Sequence, residues 1–138
     1  MEALDRYPKR RLRLFSAFLL TVACGLALRR FGYAADLPFA VVKYGGSILW
    51  SAMVYWLFAA IFIGIRDLRI ASLTCTVAVA VELFRLWHTP ALDTFRLTTA
   101  GALLLGRVFS LWNIVAYAIG IAAALLLDRV LLATKFSR

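Results

Sequence analysis

The chain has 138 residues, 64% of them hydrophobic and 17% charged, with a formal net charge of +9 and a mean hydropathy of +0.87. Water-soluble domains are roughly half apolar, so a chain this short has too little interior to hide so much apolar surface. The composition therefore excludes an ordinary soluble domain and makes lipid the solvent for much of the chain.

The length allows one domain and, at about 20 residues per crossing, only a few helical spans. The 16 Lys and Arg residues sit mostly at the ends of apolar runs. That distribution fits membrane boundaries and anionic headgroups, and argues against a basic face for nucleic acid. Cys24 and Cys75 both lie inside apolar runs. There is no CxxC or Cys/His cluster for zinc, and both read as small packing residues.

Residues 1–13 form a polar, basic leader. The first predicted span covers about 14–30; its apolar part, Leu14 to Leu28, is short for the bilayer core of about 30 Å, and Arg13 and Arg29 extend it by snorkelling. A signal peptide with cleavage before Cys24 is the rival reading, but Thr21 stands where a lipobox usually has Leu. Ala17, Thr21 and Gly25 make a seam of small residues suited to a neighbouring helix.

Residues 31–43 read as a loop, and the second predicted span covers 44–65, with Gly45 and Gly46 permitting close backbone contact. The short RDLR link, Arg66 to Arg69, forces a helical hairpin. The third predicted span covers 70–87 and stops at His88-Thr89-Pro90, since the residue before a proline is turned away from helix. Residues 91–110 are too short for a crossing and read as an interfacial or re-entrant segment. The fourth predicted span covers 111–132, with Ala116, Gly120 and Ala124 on one small-residue face. The expected fold is all-α, a single polytopic domain of four transmembrane helices.

Orientation follows from the positive charges. With the N-terminus inside, the inner side holds Arg6, Lys9, Arg10, Arg11, Arg13, Arg66, Arg69, Arg129, Lys135 and Arg138, ten in all. The outer side holds six: Arg29, Arg30, Lys43, Arg85, Arg96 and Arg107. Both termini are therefore expected in the cytoplasm, and residues 82–113 face outward.

The candidate site lies in that stretch. Glu82 sits well inside the third span, where a carboxylate is normally turned inward and paired. Arg85 follows three residues later on nearly the same face, and Thr74 and Ala78 place small residues below it. Asp93 and Arg96 form a second pair at the same spacing. Asn113 and Tyr117 start the fourth span on the same side. A structural ion pair fixing helix register is the plain reading of Glu82 and Arg85; a ligand site formed by Glu82, Arg85, Asp93, Arg96, Asn113 and Tyr117 is the functional one. Arg107 suits either a phosphate or a loop anchor. No catalytic residue, metal ligand or cofactor motif is evident: His88 is the only histidine, and HExxH, GxGxxG and GxxxxGK[ST] are absent. The chain reads as a non-enzyme.

The segments KYGGSILWSAMVY, ELFRLWHTPALDTFRLTTAGALLLG and LWN to AYAIG resemble a bacterial family of unknown function, domain of unknown function 2809, which looks related to the VanZ-like membrane proteins. The most specific match is the order Glu82, Pro90, Leu92, Asp93, Arg96, Gly101, Leu103, Leu105, Gly106. The chain departs from the resembled pattern at Arg85, where members usually carry Gln, and at Ser47 and Asn113, where they often carry Asp. The resemblance implies a four-span bacterial inner-membrane protein connected with envelope lipid or glycopeptide tolerance.

Three functions are expected in order. The first is binding of a polar lipid headgroup, or modulation of the envelope, through an outward-facing cavity. The second is a small oligomeric transporter or channel moving a proton or cation by way of Glu82. The third is a structural partner subunit packed through the Ala116/Gly120/Ala124 seam. The expected partners are membrane lipids and further copies of the chain.

Overall fold

A computed structural model describes residues 2–132, with side chains from Tyr7 to Val130. Lys135 and Arg138, counted above toward the inner side, lie outside the described residues, as does the side chain of Arg6. All regular structure among the described residues is helical: α1 (Glu2–Phe31), α2 (Phe39–Ile61), α3 (Asp67–Phe84), α4 (Pro90–Leu97), α5 (Thr99–Leu104) and α6 (Leu111–Leu127), followed by a π-helical turn at Asp128–Leu132.

Among the described residues, three stretches are long and apolar enough to cross a membrane: Tyr7–Phe31, Phe39–Ile61 and Leu111–Val130. α3, expected as a further span, is only 18 residues long and carries Asp67, Arg69 and Glu82 among them, whereas each of the other three contains an apolar stretch of that length with at most two charged residues.

The helices outrun the apolar runs that announce them. α1 begins at Glu2 rather than near residue 14, because the Leu, Arg and Lys residues of the basic leader are good helix formers; even Pro8 is accommodated. At 30 residues α1 is ~45 Å long. α2 starts at Phe39, directly after Pro38, instead of near Tyr44, and it ends at Ile61 rather than Ile65. The turn that follows includes Gly64 at φ 96°. α3 stops at Phe84, three residues earlier than expected. Residues 91–110 resolve into two short helices. Thr89 caps α4 by accepting from the Leu92 amide at 3.2 Å, with Pro90 in the first turn, where its missing N–H costs nothing. Thr98 caps α5 by accepting from the Gly101 amide at 3.0 Å.

α2 is the central helix, packed by α1, α3 and α6, while α3 also packs on α6. Lipid is as apolar as leucine, so close backbone approach drives such packing more than hydrophobic burial does. The small-residue seams serve that purpose within this chain. Ala116, Gly120 and Ala124 are all buried, and a Cβ at Gly120 would run into the Ser51 hydroxyl and the Ile48 carbonyl of α2. The seam expected to receive a partner subunit is thus filled by the chain itself. A Cβ placed at Gly25 of α1 would sit 4.0 Å from Leu49 of α2, in ordinary van der Waals contact. Leu14, Tyr55, Trp56, Ile70 and Ile121 form a larger core nearer the N-terminal end of α1. Large apolar side chains such as Phe15, Leu19, Leu20, Ile119 and Leu126 point away from the bundle. Cys24 and Cys75 are exposed free thiols rather than packing residues.

Candidate ligand-binding cavity

The inward face expected of α3 is present: Ile70, Thr74, Ala78 and Glu82 are all buried. Their spacing puts them on one side of the helix, and that side meets α2 and α6. At its end Glu82 is completely enclosed. Its Oε2 accepts from the Arg85 guanidinium at 2.7 Å and from the Tyr117 hydroxyl at 2.9 Å. Its Oε1 accepts from the Ser110 amide at 2.7 Å and from the Asn113 side-chain amide at 3.2 Å. Ser110 is the residue before α6, so the carboxylate takes up an otherwise orphan amide at that helix's start, where the peptide dipoles favour negative charge.

Arg85 ties this cluster to the chain beyond α5. Its Nε donates to the Leu105 carbonyl at 2.7 Å and its Nη1 to the Val108 carbonyl at 3.4 Å. Gly106 turns there at φ 69°, and any Cβ at that position would collide with the guanidinium. On the α2 side, the Ser47 hydroxyl donates to Asn113 Oδ1 at 3.2 Å. The Trp50 ring lies 5.3 Å from that of Tyr117, centroid to centroid. Glu82, Arg85, Asn113 and Tyr117 are therefore brought together as expected, with Ser47 and Ser110 as additional members.

Asp93 and Arg96 stand apart. Arg96 is buried, and it spends its guanidinium on the end of α3, donating to the Phe84 carbonyl at 2.8 Å and the Trp87 carbonyl at 2.7 Å. A cation at the last carbonyls of a helix complements the helix dipole. The half-exposed Asp93 carboxylate lies 3.2 Å from Arg96 and 3.0 Å from His88. Hydrogen bonding and charge from His88 first, then from Arg96, hold Asp93 below the usual carboxylate value. The expected outward set is thus two clusters rather than one.

The first cluster forms part of the wall of a cavity of about 810 Å³. Arg85, Ser47, Asn113 and Tyr117 line it from one side and Thr21 to Arg29 of α1 from another, while residues 99–108 contribute a third. Neither Asp93 nor Arg96 lines it. Gly46 opens onto this space, with nothing within 4 Å of where its Cβ would be. The cavity is graded along the helices. Arg29 and Lys43 lie at one end, whereas Leu49 and Met53 lie deeper, ~15 Å from Lys43 to Met53 at 1.5 Å per residue.

A further polar cluster, one that sequence reasoning misses, occupies the other end of the bundle. Asp128 is buried at 2% exposure and accepts from the Tyr55 hydroxyl at 2.7 Å and from Arg10 at 3.3 Å. Beside it Arg129 pairs with Asp67. Asp128 closing an otherwise unbroken apolar run is the one signal that could have found it. Among the described residues no three His, Cys, Asp or Glu side chains gather as a metal group.

No solved structure matches the chain. A family model does match, over residues 37–121, which is more than half the chain and runs from just before α2 into α6, across Ser47, Glu82, Arg85, Asn113 and Tyr117. The chain belongs to the family described as Protein of unknown function (DUF2809).

Proposed function

We propose that the protein is a four-span inner-membrane protein of bacteria that binds the polar headgroup of a membrane lipid in this cavity. α3 serves as the third span, its carboxylate shielded from acyl chains by the Arg85, Tyr117, Asn113 and Ser110 donors. Both termini are cytoplasmic on the charge count, which places Arg10, Asp67, Asp128 and Arg129 at the inner face and the cavity at the outer one. The single carrying observation is the cavity's gradient, charged at the Arg29 and Lys43 end and apolar toward Met53. Ligand pockets span roughly 300–1,000 Å³, and a graded one of this size suits an amphiphile. The resemblance to VanZ-like membrane proteins supports an envelope role for the same site.

Transport by way of Glu82 has less support. The carboxylate is fully enclosed, holds donors from four residues already and does not line the cavity.

The test is lipid retention. Full-length protein is extracted in mild detergent, and its co-purifying lipid is quantified by mass spectrometry. Gly46→Leu, which places a branched side chain in the open space, is expected to reduce retained lipid severalfold at unchanged thermal stability. Equal retention by the variant and the original chain would remove the reading.

A further inference from the structure

The headgroup can be specified further, on the basis of the lipid-binding reading above. Four cations line the cavity, Arg29, Lys43, Arg85 and Arg107, and none of the described lining residues is acidic. Arg85 is offset by Glu82 directly behind it. Among the described residues the other three carry no such partner.

Two of the four are structurally committed. Arg85 holds the Leu105 and Val108 carbonyls, and Arg107 holds those of Arg96 and Leu97 at 3.2 and 3.3 Å. Arg29 and Lys43 are not. Among the described residues neither side chain makes a hydrogen bond or an ion pair; the Lys43 ammonium only rests over the Phe39 and Tyr44 rings, 5.7 and 5.2 Å from their centroids. They come from neighbouring ends of two packed helices, the last turn of α1 and the second turn of α2. Like charges lining one cavity repel one another and give it a positive potential. With no counter-charge among the described lining residues, this end of the cavity suits an anion from outside the chain.

We infer that the cavity binds an anionic lipid whose headgroup is a phosphate monoester, the phosphate held by Arg29 and Lys43 with Arg107 alongside, and the hydrocarbon laid against Leu26, Leu49 and Met53. Three uncompensated cations exceed what the single charge of a fatty-acid carboxylate neutralises. A phosphate monoester carries about −1.5 to −2 at neutral pH and offers three strong acceptor oxygens, which guanidinium and ammonium groups meet well. A free phosphate would leave most of the 810 Å³ unfilled, including the apolar depth, so the anion is attached to a chain.

Native mass spectrometry of the full chain in a neutral detergent tests this with four probes: phosphatidic acid, diacylglycerol and phosphatidylcholine of matched acyl chains, and inorganic phosphate. Phosphatidic acid is expected to bind at least about tenfold more tightly than diacylglycerol or phosphatidylcholine. Arg29→Gln and Lys43→Gln are each expected to cut that preference severalfold, whereas Arg30→Gln, an exposed neighbour outside the cavity, leaves it unchanged. If the three lipids bind alike and Gly46→Leu still blocks them, the phosphate assignment falls and the headgroup reading stands. If no lipid binds, both fall. Inorganic phosphate that binds as tightly as phosphatidic acid and displaces it would overturn the lipid as source. An equal loss in Arg30→Gln would reduce the effect to general surface charge and overturn the assignment of Arg29 and Lys43.

Discussion

Glu82 and Tyr117 stand 35 positions apart and on different helices, yet the tyrosine hydroxyl donates to the carboxylate at 2.9 Å with both groups buried. That bond, with the Asn113 and Ser110 donors, is what lets α3 carry a carboxylate against α6. The penalty for breaking such a cluster depends on what is left behind. Tyr117→Phe removes one donor and keeps the ring against Trp50; it is expected to cost about 1–2 kcal/mol. Glu82→Ala strands the partly buried Arg85 guanidinium and is expected to cost about 3–5 kcal/mol. Thermal unfolding in detergent, followed by helical circular dichroism, checks the order. A Tyr117→Phe loss as large as that of Glu82→Ala would contradict it.

The inward face of α3 is legible from residue spacing alone, because Thr74, Ala78 and Glu82 recur at helical intervals and a membrane carboxylate must be hidden. The four long helices are legible too, from apolar runs and short links. Their ends are not: hydropathy marks the lipid-facing part of a helix, while Glu2 to Arg13 extend α1 past the apolar run, where Arg10 meets Asp128 at 3.3 Å. Arg96 shows a different limit. Its spacing from Asp93 announces a local pair, but only the tertiary arrangement turns the guanidinium toward the Phe84 and Trp87 carbonyls at the end of α3. Arg29 and Lys43 look like ordinary boundary cations in the sequence, since their shared cavity depends on how α1 and α2 pack. Ser47, Arg85 and Asn113, the positions that depart from the resembled family pattern, are scattered in sequence and meet around Glu82.

Two glycines should respond oppositely to the same methyl group. A Cβ at Gly120 would meet the Ser51 hydroxyl and the Ile48 backbone, whereas one at Gly46 meets nothing within 4 Å. Gly120→Ala forces α6 away from α2 and is expected to destabilise by about 1–3 kcal/mol. Gly46→Ala is expected to be neutral, or slightly stabilising through the better helix propensity of alanine. Paired melting curves decide this, and similar losses for both would mean that the α2–α6 contact is looser than described.

At the opposite end of the bundle, Asp128 closes the contact between α2, α6 and the start of α1. Asp128→Asn keeps the shape but loses the charge that Arg10 meets at 3.3 Å; Tyr55→Phe loses the 2.7 Å donor. Each is expected to cost about 1–2 kcal/mol. Because they share one carboxylate, the double variant should cost clearly less than the sum. A double-mutant cycle gives that coupling directly, and strict additivity would show that the two bonds act independently.

Asp93 supplies a pH test outside the apolar helices. Its carboxyl is held below the ordinary value of 3.8, first by the hydrogen bond with His88 and then by charge from His88 and Arg96. A depressed carboxylate contributes stability above its unfolded-state value and loses it as pH falls through the folded one. The contribution is therefore intact near neutral pH and fades only in acid below about 3.8, where protonation releases the hold on His88 and weakens that on Arg96. Following the backbone amide resonances of Leu92 to Arg96 during acid titration should show a midpoint below 3.8 in the original chain. Asp93→Asn should abolish that transition while leaving Arg96 seated on the Phe84 and Trp87 carbonyls. A midpoint above 3.8 would mean that His88 and Arg96 do not stabilise the carboxylate, and that α4 is docked by the guanidinium alone.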